Sequence, residues 1–114
     1  MHELSIALSL VEEAEEEVAR QGGGRVYSVH LKLGPLSGVV KEALLFSYDL
    51  ACAGTCLEGS SLLIEEVPVR IACVKCGEER GAVSMQCLQC VMCGSGGAVV
   101  SGNELEMVAL EMQA

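Results

Sequence analysis

Residues 73–94 read CVKCGEERGAVSMQCLQCVMCG and hold five of the chain's seven cysteines. Two Cys-x-x-Cys pairs joined by a short loop supply four thiolates that can close tetrahedrally on one zinc ion. Cys73 and Cys76 form the first pair; the second is either Cys87 with Cys90 or Cys90 with Cys93. In a metal knuckle the turn after the second cysteine brings backbone N–H groups toward the thiolates, and a glycine there permits the close approach. Gly77 follows Cys76 and Gly94 follows Cys93, whereas Cys90 lies between Gln89 and Val91. The glycines thus select Cys73, Cys76, Cys90 and Cys93 as zinc ligands and leave Cys87 as a spare thiol. Between the pairs only Val83, Met85 and Leu88 are large and apolar, too few for a core, so metal must supply the folding energy of this lobe. Four thiolates leave no open coordination position, which makes the zinc structural.

The rest of the composition narrows the setting. The chain has 114 residues, 51% of them hydrophobic, and a formal charge of −9 from 16 acidic against 7 basic residues. Its length suits one domain, or one domain carrying a small insert. A nucleic-acid or anionic-membrane binder needs a basic surface, and within the cysteine stretch Lys75 and Arg80 are offset by Glu78 and Glu79, so neither nucleic acid nor membrane is an expected partner. No apolar run reaches the roughly 18 residues of a membrane span. Five glutamates between Glu12 and Glu17, behind His2 and Glu3, are unlike a secretory signal, so a cytoplasmic protein with reduced thiols is expected. Two rival readings of the cysteines are a zinc-ribbon interaction module and a thiol redox regulator.

Upstream, Leu4, Ala7, Leu8, Val11, Ala14 and Val18 follow the spacing of one helical face, and Gly22-Gly23-Gly24 ends the helix. Tyr27, Val29, Leu31 and Leu33 alternate with Ser28, His30 and Lys32, the signature of a strand with one buried face, which Gly34-Pro35 stops. His30 falls on its polar side and reads as solvated. A second helix is expected from Lys41 to Cys52, with Leu44, Leu45, Tyr48 and Cys52 inward, and Cys52 and Cys56 read as small buried thiols. A β segment follows from Leu62 to Ile71, interrupted at Pro68, which cannot donate to a sheet ladder. Glu104 to Met112 reads as a strand.

The chain opens Met1-His2-Glu3. A histidine at position two puts the terminal amine, its own amide nitrogen and imidazole Nδ1 in one plane as fused chelate rings, a nitrogen-rich arrangement that suits Ni(II) or Cu(II). Together with Leu4-Ser5, Leu36-Ser37-Gly38-Val39 after the Gly34 turn, Gly54-Thr55-Cys56-Leu57-Glu58-Gly59, the cysteine site and Ser101-Gly102-Asn103-Glu104-Leu105, it resembles the HypA/HybF family over essentially the whole chain. These are nickel-insertion accessory proteins of [NiFe]-hydrogenase maturation. The resemblance implies an α+β protein with no enzymatic activity: a two-helix, small β-sheet nickel-binding domain (1–68 with 102–114) and an inserted zinc-ribbon-like domain (69–101). Met1, His2 and Glu3 match the family's nickel motif, and Cys73, Cys76, Cys90 and Cys93 its zinc ligands. One departure is Val91, where the family usually carries proline. The implied function is that of a metallochaperone that passes Ni(II) toward the hydrogenase large subunit with a partner GTPase, with urease accessory proteins as further candidate partners.

Overall fold

The computed structural model describes residues 2–82 and 88–113, with the side chain of His2 left out. Helix α1 runs from His2 to Arg20, β1 from Arg25 to Leu33, a 3₁₀ turn over Pro35–Ser37, and α2 over Lys41–Cys52. Strands β2 (Ser61–Glu66), β3 (Arg70–Cys73), β4 (Glu79–Gly81), β5 (Gly97–Ser101) and β6 (Leu105–Gln113) complete the order. The strands form two three-stranded sheets, β2-β1-β6 and β4-β3-β5. The chain divides into two compact units: Met1–Leu31 with Val39–Glu65 and Glu106–Ala114, and Lys32–Gly38 with Glu66–Leu105.

In the first unit α1 and α2 pack together, and Ala7, Leu10, Val11, Ala14 and Val18 form the buried stripe of α1. The stripe is turned slightly from the expected one: Leu10 is buried and Leu8 is 51% exposed. Leu8 sits one residue off the line through Ala7, Val11, Ala14 and Val18, and 100° per residue carries it past the edge of the contact. The helix closes on its glycines as expected, since Gly22 N donates to Ala19 O and Gly23 N to Val18 O, with both glycines at positive φ. On α2, Leu44, Ser47, Tyr48, Ala51 and Cys52 are buried, and Leu45 is half-buried.

Central strand β1 buries Val29, Leu31 and Leu33, but Tyr27 is 55% exposed and Ser28 is buried. Tyr27 does not follow the expected alternation; its hydroxyl donates to Gln113 Oε1 of β6. Ser28 Oγ donates to Glu111 Oε1 at 2.6 Å. Residue 27 meets 113 and residue 28 meets 111, so β6 runs antiparallel to β1.

The second unit is built on β3, which pairs antiparallel with β4 (Ile71 opposite Arg80) and with β5 (Ile71 opposite Val99). Its buried apolar cluster is Ile71, Cys73 and Cys90, with Cys76 and Ala82 packed against it. At its base two backbone segments nearly touch: Gly34 N donates to Glu104 O and Leu36 N to Gly102 O. A Cβ on Gly34 would lie 2.1 Å from Gly102 O, so only glycine fits that crossing.

Candidate metal centre

The cysteine site is two copies of one turn. In the first, Cys73 N donates to Glu78 O at 2.9 Å and Gly77 N to Cys73 O at 2.9 Å. In the second, Cys90 N donates to Ser95 O at 2.7 Å and Gly94 N to Cys90 O at 2.8 Å. Gly77 and Gly94 both take the left-handed conformation, at φ 71° and 77°. That conformation, strained for any residue with a Cβ, is the reason for a glycine after each second cysteine. The turns aim backbone N–H groups at sulfur: Cys76 N lies 3.3 Å from Cys73 Sγ and Met92 N lies 3.4 Å from Cys90 Sγ. Such donors stabilise negative charge on a metal-bound thiolate.

Strand β3 ends at Cys73 and the second turn leads toward β5, so the sheet carries both turns to one point. The Sγ atoms of Cys73, Cys76, Cys90 and Cys93 all lie within 4.8 Å of one another. Cys73 is 3.4 Å and Cys76 3.5 Å from Cys93, and Cys76 is 3.9 Å from Cys90. Tetrahedral zinc with Zn–S bonds of about 2.3 Å requires sulfurs roughly 3.8 Å apart, and the cluster lies close to that spacing. Cys73 and Cys90 are buried, Cys76 is half-buried and Cys93 exposed. Among the free thiols, Cys93 is drawn down to about 6 by the backbone N–H and hydroxyl of Ser95, while hydrogen bonding to Cys93 and Cys73 pushes Cys76 up to about 12. The set thus shares protons that a cation displaces on binding. Ser95 escaped the sequence reading because nothing in a Cys-x-x-Cys pattern points to a residue two positions beyond it. Cys87 lies outside the described residues.

At the other end of the chain, Met1 and the side chain of His2 lie outside the described residues. The backbone of His2 opens α1. Glu3 is half-buried, and its Oε2 accepts a long contact of 3.4 Å from Val40 N, at the residue that precedes α2. His30 is not simply solvated: its Nε2 lies 2.9 Å from Glu111 Oε1, which also takes the Ser28 hydroxyl. The hydrogen bond from Ser28, then the hydrogen bond and charge of His30, hold the Glu111 carboxyl below the ordinary carboxylate range. Cys52 is buried and Cys56 half-buried. Burial pushes the Cys52 thiol up, and its Sγ lies 4.0 Å from Ser60 Oγ, which is itself bonded to the Tyr48 hydroxyl at 2.6 Å.

An α+β unit joined to a small three-stranded lobe with a four-thiolate zinc cluster defines a metal-handling protein whose lobe is organised by structural zinc. The family model described as hydrogenase/urease nickel incorporation, metallochaperone, hypA matches residues 1–112, and the chain belongs to this family. Its function is accordingly that of a nickel metallochaperone of hydrogenase maturation. The hydrogenase maturation factor HypA of Roseiflexus sp. (strain RS-1) is 51% identical to it, over 99% of this chain and 93% of that protein. The protein of the same name from Chloroflexus aurantiacus is 46% identical over 97% of this chain and 98% of its own. The solution structure of the Ni metallochaperone HypA from Helicobacter pylori shares the fold, with a TM-score of 0.69 at 22% identity over 98% of this chain and 97% of that one. No helix among the described residues is long and apolar enough to cross a membrane.

Proposed function

We propose that Ni(II) is held by the Met1 amine together with the amide and Nδ1 of His2, with Glu3 as fourth donor or as the group that steadies them. Structural zinc is held by Cys73, Cys76, Cys90 and Cys93 within an inserted domain, 69–101, of an otherwise continuous nickel domain, 1–68 with 102–114. The nickel assignment is carried by one observation: α1 begins at His2. The first N–H groups of a helix have no intrahelical acceptor, so deprotonating the His2 amide to bind metal breaks no helical hydrogen bond. The positive end of the helix dipole also favours the resulting amide anion. The Glu3 contact with Val40 supports a steadying part for that carboxylate.

Delivery requires a site that releases its ion, and three donors at the first turn of a helix leave the metal open to an incoming ligand. On this reading the protein works in the cytoplasm with a nickel-handling GTPase, hands Ni(II) to the hydrogenase large subunit, and extends to urease accessory proteins where those are present. Nickel titration of three forms tests the ligand set. The native start should bind, with affinity falling steeply as pH drops through the imidazole pKa of about 6.5, because protons compete for the donors. His2→Ala should abolish binding, and so should one glycine inserted ahead of Met1, which removes the amine from the chelate. If the extended form binds as tightly as the native one, the amine is not a ligand.

A further inference from the structure

Strand β6 is exposed or half-buried at every position. It is nine residues long, it includes Leu105, Met107, Val108, Leu110 and Met112, and none of the nine is buried. The opposite edge strand, β2, has six residues and buries Leu62. β6 is last in the order β2-β1-β6, so its outer backbone has no partner strand among the described residues. A long apolar free edge is what folded proteins normally shorten, charge or cover. Beside it, within the first unit, lies an open groove of about 820 Å³ lined by Met107 and Met112 of β6, Tyr27 of β1 and the carboxylates Glu13, Glu17 and Glu111, with no lysine or arginine in its walls.

We propose that this groove receives an extended segment of a partner protein, in which lysine or arginine alternates with apolar residues, as an added strand on β6. Each feature of the groove corresponds to one feature of that ligand. The free edge supplies main-chain hydrogen bonds, as in other cases of strand addition. Methionine side chains, unbranched and polarisable, adapt to apolar residues on alternate positions of the incoming strand. The three carboxylates select its basic residues. Glu17 is held below the ordinary carboxylate range by Gln21 and Arg20, and Glu111 by Ser28 and His30, so both stay ionised. Arg20 offsets part of this charge through its 2.8 Å pair with Glu17, leaving Glu13 and Glu111 uncompensated by arginine or lysine in the groove. The same charges disfavour a second copy as occupant, since two chains of net charge −9 would bring like carboxylates together. The proposal is independent of the nickel ligands and holds for nickel-free protein.

The probe is a ten-residue peptide of alternating lysine and valine, with a glutamate–valine twin, titrated into the zinc-loaded full chain while amide hydrogen exchange is mapped. The lysine peptide should bind and slow exchange between Glu106 and Gln113, and the glutamate twin should do neither. Raising salt should weaken binding, and Glu13→Lys with Glu17→Lys should weaken it at least tenfold. Zinc content and helical signal report whether that double variant is folded, and the charge-swapped peptides decide the matter without it. Binding that leaves β6 exchange unchanged, or that is indifferent to peptide charge, overturns the proposal. So does concentration-dependent protection of β6 in peptide-free protein that sediments as a dimer, which would make the edge a self-interface.

Discussion

The first unit buries Leu31, Leu44, Leu57 and Tyr48 to 1% exposure or less, whereas the buried apolar cluster around the four gathered cysteines is, among the described residues, Ile71 with Cys73 and Cys90. At about 1.5–3 kcal/mol per buried side chain, the four residues of the first unit alone supply several kcal/mol of hydrophobic stabilisation. Ile71 alone cannot match that, and zinc binding, worth on the order of 10 kcal/mol at small thiolate sites, is large enough to make up the difference. The helix pair therefore has a core that does not depend on metal. The cysteine lobe has no such independence, because Cys73 and Cys90 belong both to its thiol cluster and to its buried core.

The sharpest way to break this comparison is to take the metal away. Cys73→Ala should lose zinc and leave the lobe between Val69 and Ser101 with unprotected amides, while the far-UV helical signal of α1 and α2 persists. Global loss of helix would mean that the two units fold as one. The same assay settles the register of the second turn: Cys87→Ser should keep one zinc per chain and Cys93→Ser should not, and the reverse result would reject the ligand set proposed above. The complementary experiment attacks the apolar side. Leu44 of α2 is fully buried, and Leu44→Ala should lower the unfolding free energy of the first unit by about 2–5 kcal/mol while zinc stoichiometry stays at one. Zinc loss in step with the helical signal would show that the apolar core also supports the metal lobe.

The smallest expected effect lies on the sheet. The Glu111 carboxyl is held below its ordinary value by Ser28 and then His30, so its contribution to stability is present above the ordinary carboxylate pKa and fades as pH falls through the lowered folded value. Ser28→Ala should raise the Glu111 pKa toward the ordinary range in an NMR titration, with little change in stability at neutral pH, because the Glu111 side chain is 64% exposed. An unchanged Glu111 titration would show that the Ser28 hydroxyl does not hold it.

Much of the molecule was legible because its signals are local. The bounds Lys41–Cys52 of α2 coincide with the expected helix, since periodicity and the following Gly54 act within a few residues. Cys73, Cys76, Cys90 and Cys93 come together as their spacing and the glycines at 77 and 94 suggest, because a knuckle is a turn whose geometry those residues carry themselves. The strand character of 104–112 was also readable, from glutamates mixed among Leu105, Met107, Val108 and Leu110, and β6 spans Leu105–Gln113.

What the tertiary structure decided was every question of which side faces what. Leu8 and Tyr27 carry the same apolar label as their buried neighbours, and only the position of the packing partner leaves them exposed. Gly34 was read as the end of a strand; its reason is Gly102, 68 positions away, whose carbonyl occupies the space a side chain would need. Ser28, His30 and Glu111 become one hydrogen-bonded group only because β6 returns beside β1. Periodicity reports the path of one segment, but the contacts that bury, expose or charge its residues come from segments far along the chain, and no local pattern encodes their arrival.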